Sequence, residues 1–122
     1  MDKILIPQVI VETPAYLHAI EGIWDSETQS EFKTYIGTNF MLGDVIPNTG
    51  GLRKIRWSGS GHGKRGGVRV IYYYYNEHHP IYLLFAYPKN VQDNLTAEEK
   101  KLLRQLVQQL KDSFRKKESL YE

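Results

Sequence analysis

Three strand-like stretches, Leu52 to Trp57, Val68 to Tyr75 and Ile81 to Tyr87, follow one another with only a loop and a turn between them. Parallel pairing needs a crossover connection of about a dozen residues or more, usually a helix, so neighbours joined this way pair antiparallel. The turn is Asn76-Glu77-His78-His79-Pro80, and the loop from Ser58 to Gly67 holds glycines 59, 61, 63, 66 and 67 around His62, Lys64 and Arg65. Side chains alternate along a strand, so Ile55 and Trp57 share one face of the first stretch while Lys54 and Arg56 share the other. The run Tyr72 to Tyr75 alternates in the same way and reads as packing. Trp57 reads as core or core edge.

Helical sequence flanks these strands. Ile4 to Glu12 is rich in β-branched residues and reads as an opening strand, placed at a sheet edge by Pro7. Thr13-Pro14 is a helix entry, and Leu17, Ile20 and Trp24 supply a short apolar stripe behind it. Ser26-x-x-Gln29 has the form of a capping box before a second helix that buries Phe32, Tyr35 and Ile36. Gly37 to Gly51 reads as a linker rich in turn residues. Thr96-x-x-Glu99 is a second capping box, opening a long helix with the stripe Leu103, Leu106, Val107, Leu110 and Phe114. Basic residues from Lys111 to Lys117 suit its C-terminus. These elements predict one α+β domain over residues 1–122: a small antiparallel sheet with two N-terminal helices and one C-terminal helix, the helices packed on one face.

The charge is unevenly placed. Net charge is +2, yet no acidic residue lies between Asp44 and Glu77, where Arg53, Lys54, Arg56, Lys64, Arg65 and Arg69 all fall. Outside this segment ten basic residues face fourteen acidic ones. A basic patch on an otherwise acidic body points to a specific polyanionic ligand. The chain has no cysteine, which excludes disulfides and thiolate metal sites and suits a reducing compartment. No apolar run reaches the length of a signal peptide or a membrane span, so the expected location is the cytoplasm and no membrane partner is expected.

Lys54 and Arg56 lie two apart on one strand, Arg69 begins the next, and Lys89 ends the third. A meander brings these four cations together on the sheet face opposite the helices. A solvated basic face is the plain alternative, but like charges gathered without an anion destabilise a fold. His78-His79 sits in a turn without spaced partners, and His18 and His62 stand alone, so no metal site is expected. No cofactor is implied either. Ser58 to Arg65 lacks the first glycine and final Ser/Thr of a phosphate loop and reads instead as a flexible loop able to follow a phosphate backbone.

The segments Gly43-Asp44-Val45-Ile46-Pro47, Gly50-Gly51-Leu52-Arg53-Lys54-Ile55-Arg56 and Gly63-Lys64-Arg65-Gly66-Gly67-Val68-Arg69-Val70-Ile71-Tyr72-Tyr73 together resemble the RelE/HigB toxin family, in particular its HigB-like branch. Leu83-Leu84 through Tyr87-x-Lys89 is similar to the last strand of the same family. The resemblance is close from Leu42 to Leu95, and the flanking helices match in kind. It implies the RelE-like microbial ribonuclease fold and a toxin that cuts messenger RNA in the ribosomal decoding site. The partner it implies is a cognate antitoxin carrying a helix-turn-helix domain. After Lys89-Asn90 many relatives carry an acidic residue, two variable positions and Asp-Leu. Here the run is Val91-Gln92-Asp93-Asn94-Leu95, so both acidic positions differ and weight shifts onto Lys54.

RNA carries its own nucleophile. Its 2′-hydroxyl attacks the adjacent phosphorus, and a protein need only accept one proton, stabilise added negative charge and protonate the leaving oxygen. Paired arginine donors suit the charge, and a lysine among other cations suits the proton steps. On this scheme Arg56 and Arg69 hold the phosphate, Lys54 accepts the proton, and Lys89 donates one or acts as a second clamp. Arg53, Lys64 and Arg65 bind the RNA backbone, and Tyr87 stacks on a base at the rim. DNA lacks the hydroxyl and is not a substrate. Two other readings use the same patch: a non-catalytic RNA-binding module, and an interaction protein that holds an acidic peptide.

Overall fold

In the computed structural model, which describes residues 6–58 and 67–120, the chain runs β1 (Ile10–Glu12), α1 (Pro14–Ile20), α2 (Ser26–Asn39), β2 (Asp44–Val45), β3 (Leu52–Trp57), β4 (Val68–Tyr73), β5 (Ile81–Pro88) and α3 (Ala97–Ser119). The strands form one sheet in the order β1-β5-β4-β3-β2. The meander β3-β4-β5 is antiparallel as expected, with β2 added antiparallel beside β3. The architecture is the α+β arrangement the sequence calls for, with a mixed sheet: β1 pairs parallel with β5 through Ile10↔Ile81, Val11↔Tyr82 and Glu12↔Leu83. The loop residues 59–66, with Lys64, Arg65 and His62, lie outside the described residues.

Placing all helices on one face needs correction. Ile55, Val68, Val70, Tyr72, Ile81, Leu83 and Ala86 pack with Tyr16 and Ile20 of α1 and Phe32 and Ile36 of α2. Leu52, Ile71, Tyr73 and Leu84 instead pack with Leu103, Val107 and Phe114 of α3. Strands β3 to β5 carry apolar residues on both faces, and a sheet apolar on both sides needs cover on both. A β-bulge between Ile71 and Tyr72 contributes, because Ile71 pairs with Phe85 and Tyr72 with Leu83. Leu84 is the extra residue, and both it and Phe85 join the α3 side.

Local signals explain most element ends. Thr13 accepts from Tyr16 N–H at 3.3 Å with Pro14 opening α1, and its hydroxyl donates to Leu83 C=O at 2.7 Å. Asp25, rather than Ser26, caps α2, accepting from Thr28 N–H at 2.7 Å. A carboxylate is the stronger acceptor at a helix N-terminus, so the helix starts one residue earlier than a Ser26 cap implies. The Thr96/Glu99 capping box of α3 is complete: Glu99 N–H donates to Thr96 Oγ1 at 3.1 Å and Thr96 N–H to Glu99 Oε1 at 2.8 Å. The segment that reads as a linker holds strand β2 and a stapled turn. Fully buried Thr49 donates to Ile46 C=O at 2.6 Å and accepts from Leu52 N–H at 3.2 Å. Gly51 follows at φ 116°, a backbone shape that disfavours any side chain.

At the far end of α3 the imidazole of His79 lies against Phe114, ring centroids 4.3 Å apart, with Nδ1 2.8 Å from Asn76 Oδ1 and Nε2 3.7 Å from Glu118 Oε1. This histidine joins the β4–β5 turn to the helix. Among the described residues no helix is long and apolar enough to cross a membrane.

Candidate functional site

Antiparallel pairing sets Arg56 opposite Arg69, and Arg69 opposite Tyr87, in one row across β3, β4 and β5. Lys54 lies in the next row on the same face of β3, with Asp44 of β2 opposite it. Directly opposed residues have Cβ atoms about 5 Å apart, and like charges so placed repel. Arg56 and Arg69 are thus direct cross-strand neighbours on one sheet face. Arg56 is exposed, while Lys54 and Arg69 are half-buried.

This cationic row occupies the face that α3 also uses. The helix covers the Leu52, Tyr73 and Leu84 end, and at its first turn Lys100 lines the same cleft as Lys54 and Tyr87. Arg56, one alternation further along β3, is exposed. The N-terminal end of α3 adds partial positive charge on this side. The open face of the sequence reading is thus the part of a covered face that the helix leaves free.

The other expected site residues are placed differently. Lys89 follows the end of β5, exposed, and its backbone N–H donates to Gly67 C=O at 3.1 Å beside the start of β4. Arg53 points to the opposite face, where its Nη1 donates to Gly43 C=O at 2.8 Å and Met41 C=O at 3.3 Å. It holds the α2–β2 corner and does not join Lys54, Arg56 and Arg69. Tyr87 needs correction as a stacking platform: it is 2% exposed and belongs to the core beneath α3. Its hydroxyl is buried and has no hydrogen-bond partner among the described residues. Burial pushes this phenol above its ordinary value, Arg69 pulls it down, and Glu99 and Asp93 add to the rise. Phe85, half-buried on the same side, is the more accessible ring.

Sequence reading missed three groups near Lys54. Its Nζ donates to Asn94 Oδ1 at 3.5 Å, a long contact, and Asp44 and Lys100 line the same cleft. Asn94 and Lys100 come from segments far along the chain, so only folding reveals them. Asp44 had a signal, as the acid that opens a long acid-free run.

The arrangement can bind a phosphodiester on two arginines and present a lysine next to it. A family model for the RelE toxin of the RelE/RelB toxin–antitoxin system matches residues 44–120, and the chain belongs to that family. It is a toxin of a toxin–antitoxin system, in a family whose members are generally ribonucleases that inhibit translation. The matched span carries β2 to β5 and α3, and so the whole cationic row; α1 and α2 precede it.

Proposed function

We propose that this toxin is a metal-independent endoribonuclease that cuts messenger RNA on the ribosome and is neutralised by a cognate antitoxin bearing a helix-turn-helix domain. The observation that carries the reading is the Arg56↔Arg69 pair with Lys54 in the adjacent row of the same face. The scissile phosphate lies between the two guanidinium groups, which hold its non-bridging oxygens. Lys54 takes the proton from the 2′-hydroxyl as that oxygen bonds to phosphorus. The bond from phosphorus to the 5′-oxygen breaks, Lys89 protonates the departing oxygen, and the products are a 2′,3′-cyclic phosphate and a 5′-hydroxyl. Charge on the phosphoryl oxygens grows toward the transition state, so the arginines bind that state more tightly than the substrate. Lys64 and Arg65 contact the flanking backbone.

The test combines growth and chemistry. Expression of the toxin alone should arrest growth, and co-expression of the antitoxin should restore it. Primer extension should find new 5′-ends in messenger RNA bound to ribosomes, and none in the same RNA free in solution. RNA that is bound but uncut would favour the non-catalytic module. Unhindered growth at high expression of folded protein would count against the toxin activity itself.

A further inference from the structure

Beside Lys54 lies a cleft of about 290 Å³, between the β2–β3 turn and the first turn of α3. Its size is at the small end of ligand sites, which run from roughly 300 to 1,000 Å³, and suits one nucleotide rather than a run of bases. Ile46, Pro47 and Leu95 give it an apolar wall, and the buried ring of Tyr87 closes it at the back. Its polar groups are Asp44, Asn94, Lys54 and Lys100.

Asp44 is the informative member. A carboxylate next to a phosphate-binding row repels the substrate backbone and weakens binding unless it meets a donor. Lys54 stands directly across the strand pair, yet no ion pair joins the two; its Nζ turns to Asn94 instead. Asp44 is exposed and lines the cleft, and among the described residues its carboxylate has no hydrogen bond or ion pair. Among the four RNA bases only guanine offers two adjacent donors, N1–H and the N2 amino group, that match two carboxylate oxygens side by side. Adenine and cytosine set a donor beside an acceptor, and uracil sets one donor between two acceptors. The guanine O6 accepts from an ammonium, which Lys100 supplies. Unstacked bases are read in this way, by their Watson–Crick edge with the ring held against apolar side chains.

We propose that this cleft is a subsite for a single unstacked guanine flanking the cut, and that Asp44 is its specificity-determining residue. The inference rests on the RNA-cleaving reading for the adjacent phosphate, but the cleft can be tested apart from cleavage. Titration of the free protein with 5′-GMP, 5′-AMP, 5′-CMP and 5′-UMP, followed by NMR at the Leu95 methyls and the Asn94 side-chain amide, reads the site directly. GMP should bind at least about fivefold tighter than the other three, a difference near 1 kcal/mol. Asp44→Asn should remove that preference while raising affinity for the other nucleotides, because it deletes a charge that repels phosphate. A loss of structure would lower all four together. Leu95→Trp, which fills the cleft, should abolish the response. Equal binding of all four nucleotides, no response at these groups, or a preference unchanged in Asp44→Asn overturns the subsite. On ribosomes, cut sites should share a guanine at one fixed position next to the break, and Asp44→Asn should relax it. Cuts with no such guanine overturn the proposal while leaving the nuclease intact. Selective GMP binding by a protein that cuts nothing would keep the subsite and remove the nuclease reading.

Discussion

The Tyr72 hydroxyl ties together the corner between α2 and β2: it donates to Phe40 C=O at 2.6 Å and accepts from Gly43 N–H at 3.0 Å. A Cβ on Gly43 would lie well inside van der Waals contact distance of that hydroxyl and of the ring carbons beside it. The corner carries Asp44 into β2, so this contact positions one wall of the cleft. Tyr72→Phe leaves both backbone groups without their partner and should cost about 1–3 kcal/mol. Gly43→Ala should cost at least as much, since the ring is fully buried and has no room to move. Denaturant melts check both, and a Tyr72→Phe change within about 0.5 kcal/mol would show that water replaces the hydroxyl.

Alkaline pH should unfold the protein through its tyrosines. Burial raises the phenols of Tyr16, Tyr72 and Tyr87 above their ordinary value of 10.0 and that of Tyr73 to about 12, the last with help from Tyr75 and against Arg115. These groups bind protons more tightly in the folded chain, so their contribution is complete below pH 10 and declines as pH rises through the folded values. Stability should therefore fall from pH 10 toward 12, and part of the phenolate absorbance should appear only with unfolding. Smooth titration of all nine tyrosines near pH 10 in a folded protein would contradict this.

The start of α3 should weaken in acid. Burial acts to raise the Glu99 carboxyl, but hydrogen bonds from Thr96 N–H, the Gln92 side chain and the Thr96 side chain outweigh it and lower the value from 4.5. A lowered carboxyl contributes above its unfolded value, and the contribution is lost as pH falls through the folded one. Glu99→Gln should lower the melting temperature at neutral pH, and the difference should vanish below pH 4.5 as the wild-type carboxyl takes up its proton. Thr96→Ala should cost about 1 kcal/mol. A gap between wild type and Glu99→Gln that persists in strong acid would assign the effect to packing.

Arg69→Ala should reduce RNA cleavage by about 10²–10³, the usual loss for one donor to a transition-state oxyanion. The fold should stay within about 1 kcal/mol of wild type, since the change relieves the repulsion between directly opposed Arg56 and Arg69. Lys54→Ala should also lose activity, and the double variant should be less than additive because both act in one step. Arg53→Ala should instead lower stability through the Met41 and Gly43 carbonyls it releases. Primer extension with parallel melts separates the two kinds of effect, and a folded Arg69→Ala that cuts at the normal rate would remove that residue from the site.

The period-two pattern of Leu52 to Trp57 already puts Lys54 and Arg56 on one face, and short connections already make β3, β4 and β5 a meander. The stripe from Leu103 to Phe114 and the Thr96/Glu99 box likewise announce α3. These signals are local, because strand alternation, helical spacing and caps act over a few residues. The face that α3 covers, the parallel pairing of β1 with β5, and the bulge that sends Leu84 and Phe85 to one side depend on contacts across tens of residues. Those contacts decide that Tyr87 is core, that Arg53 holds a corner, and that Asp44, Asn94 and Lys100 surround Lys54. A residue's alternation says which side of its own strand it takes; what waits on that side is set by which apolar surfaces bury one another when the whole chain packs.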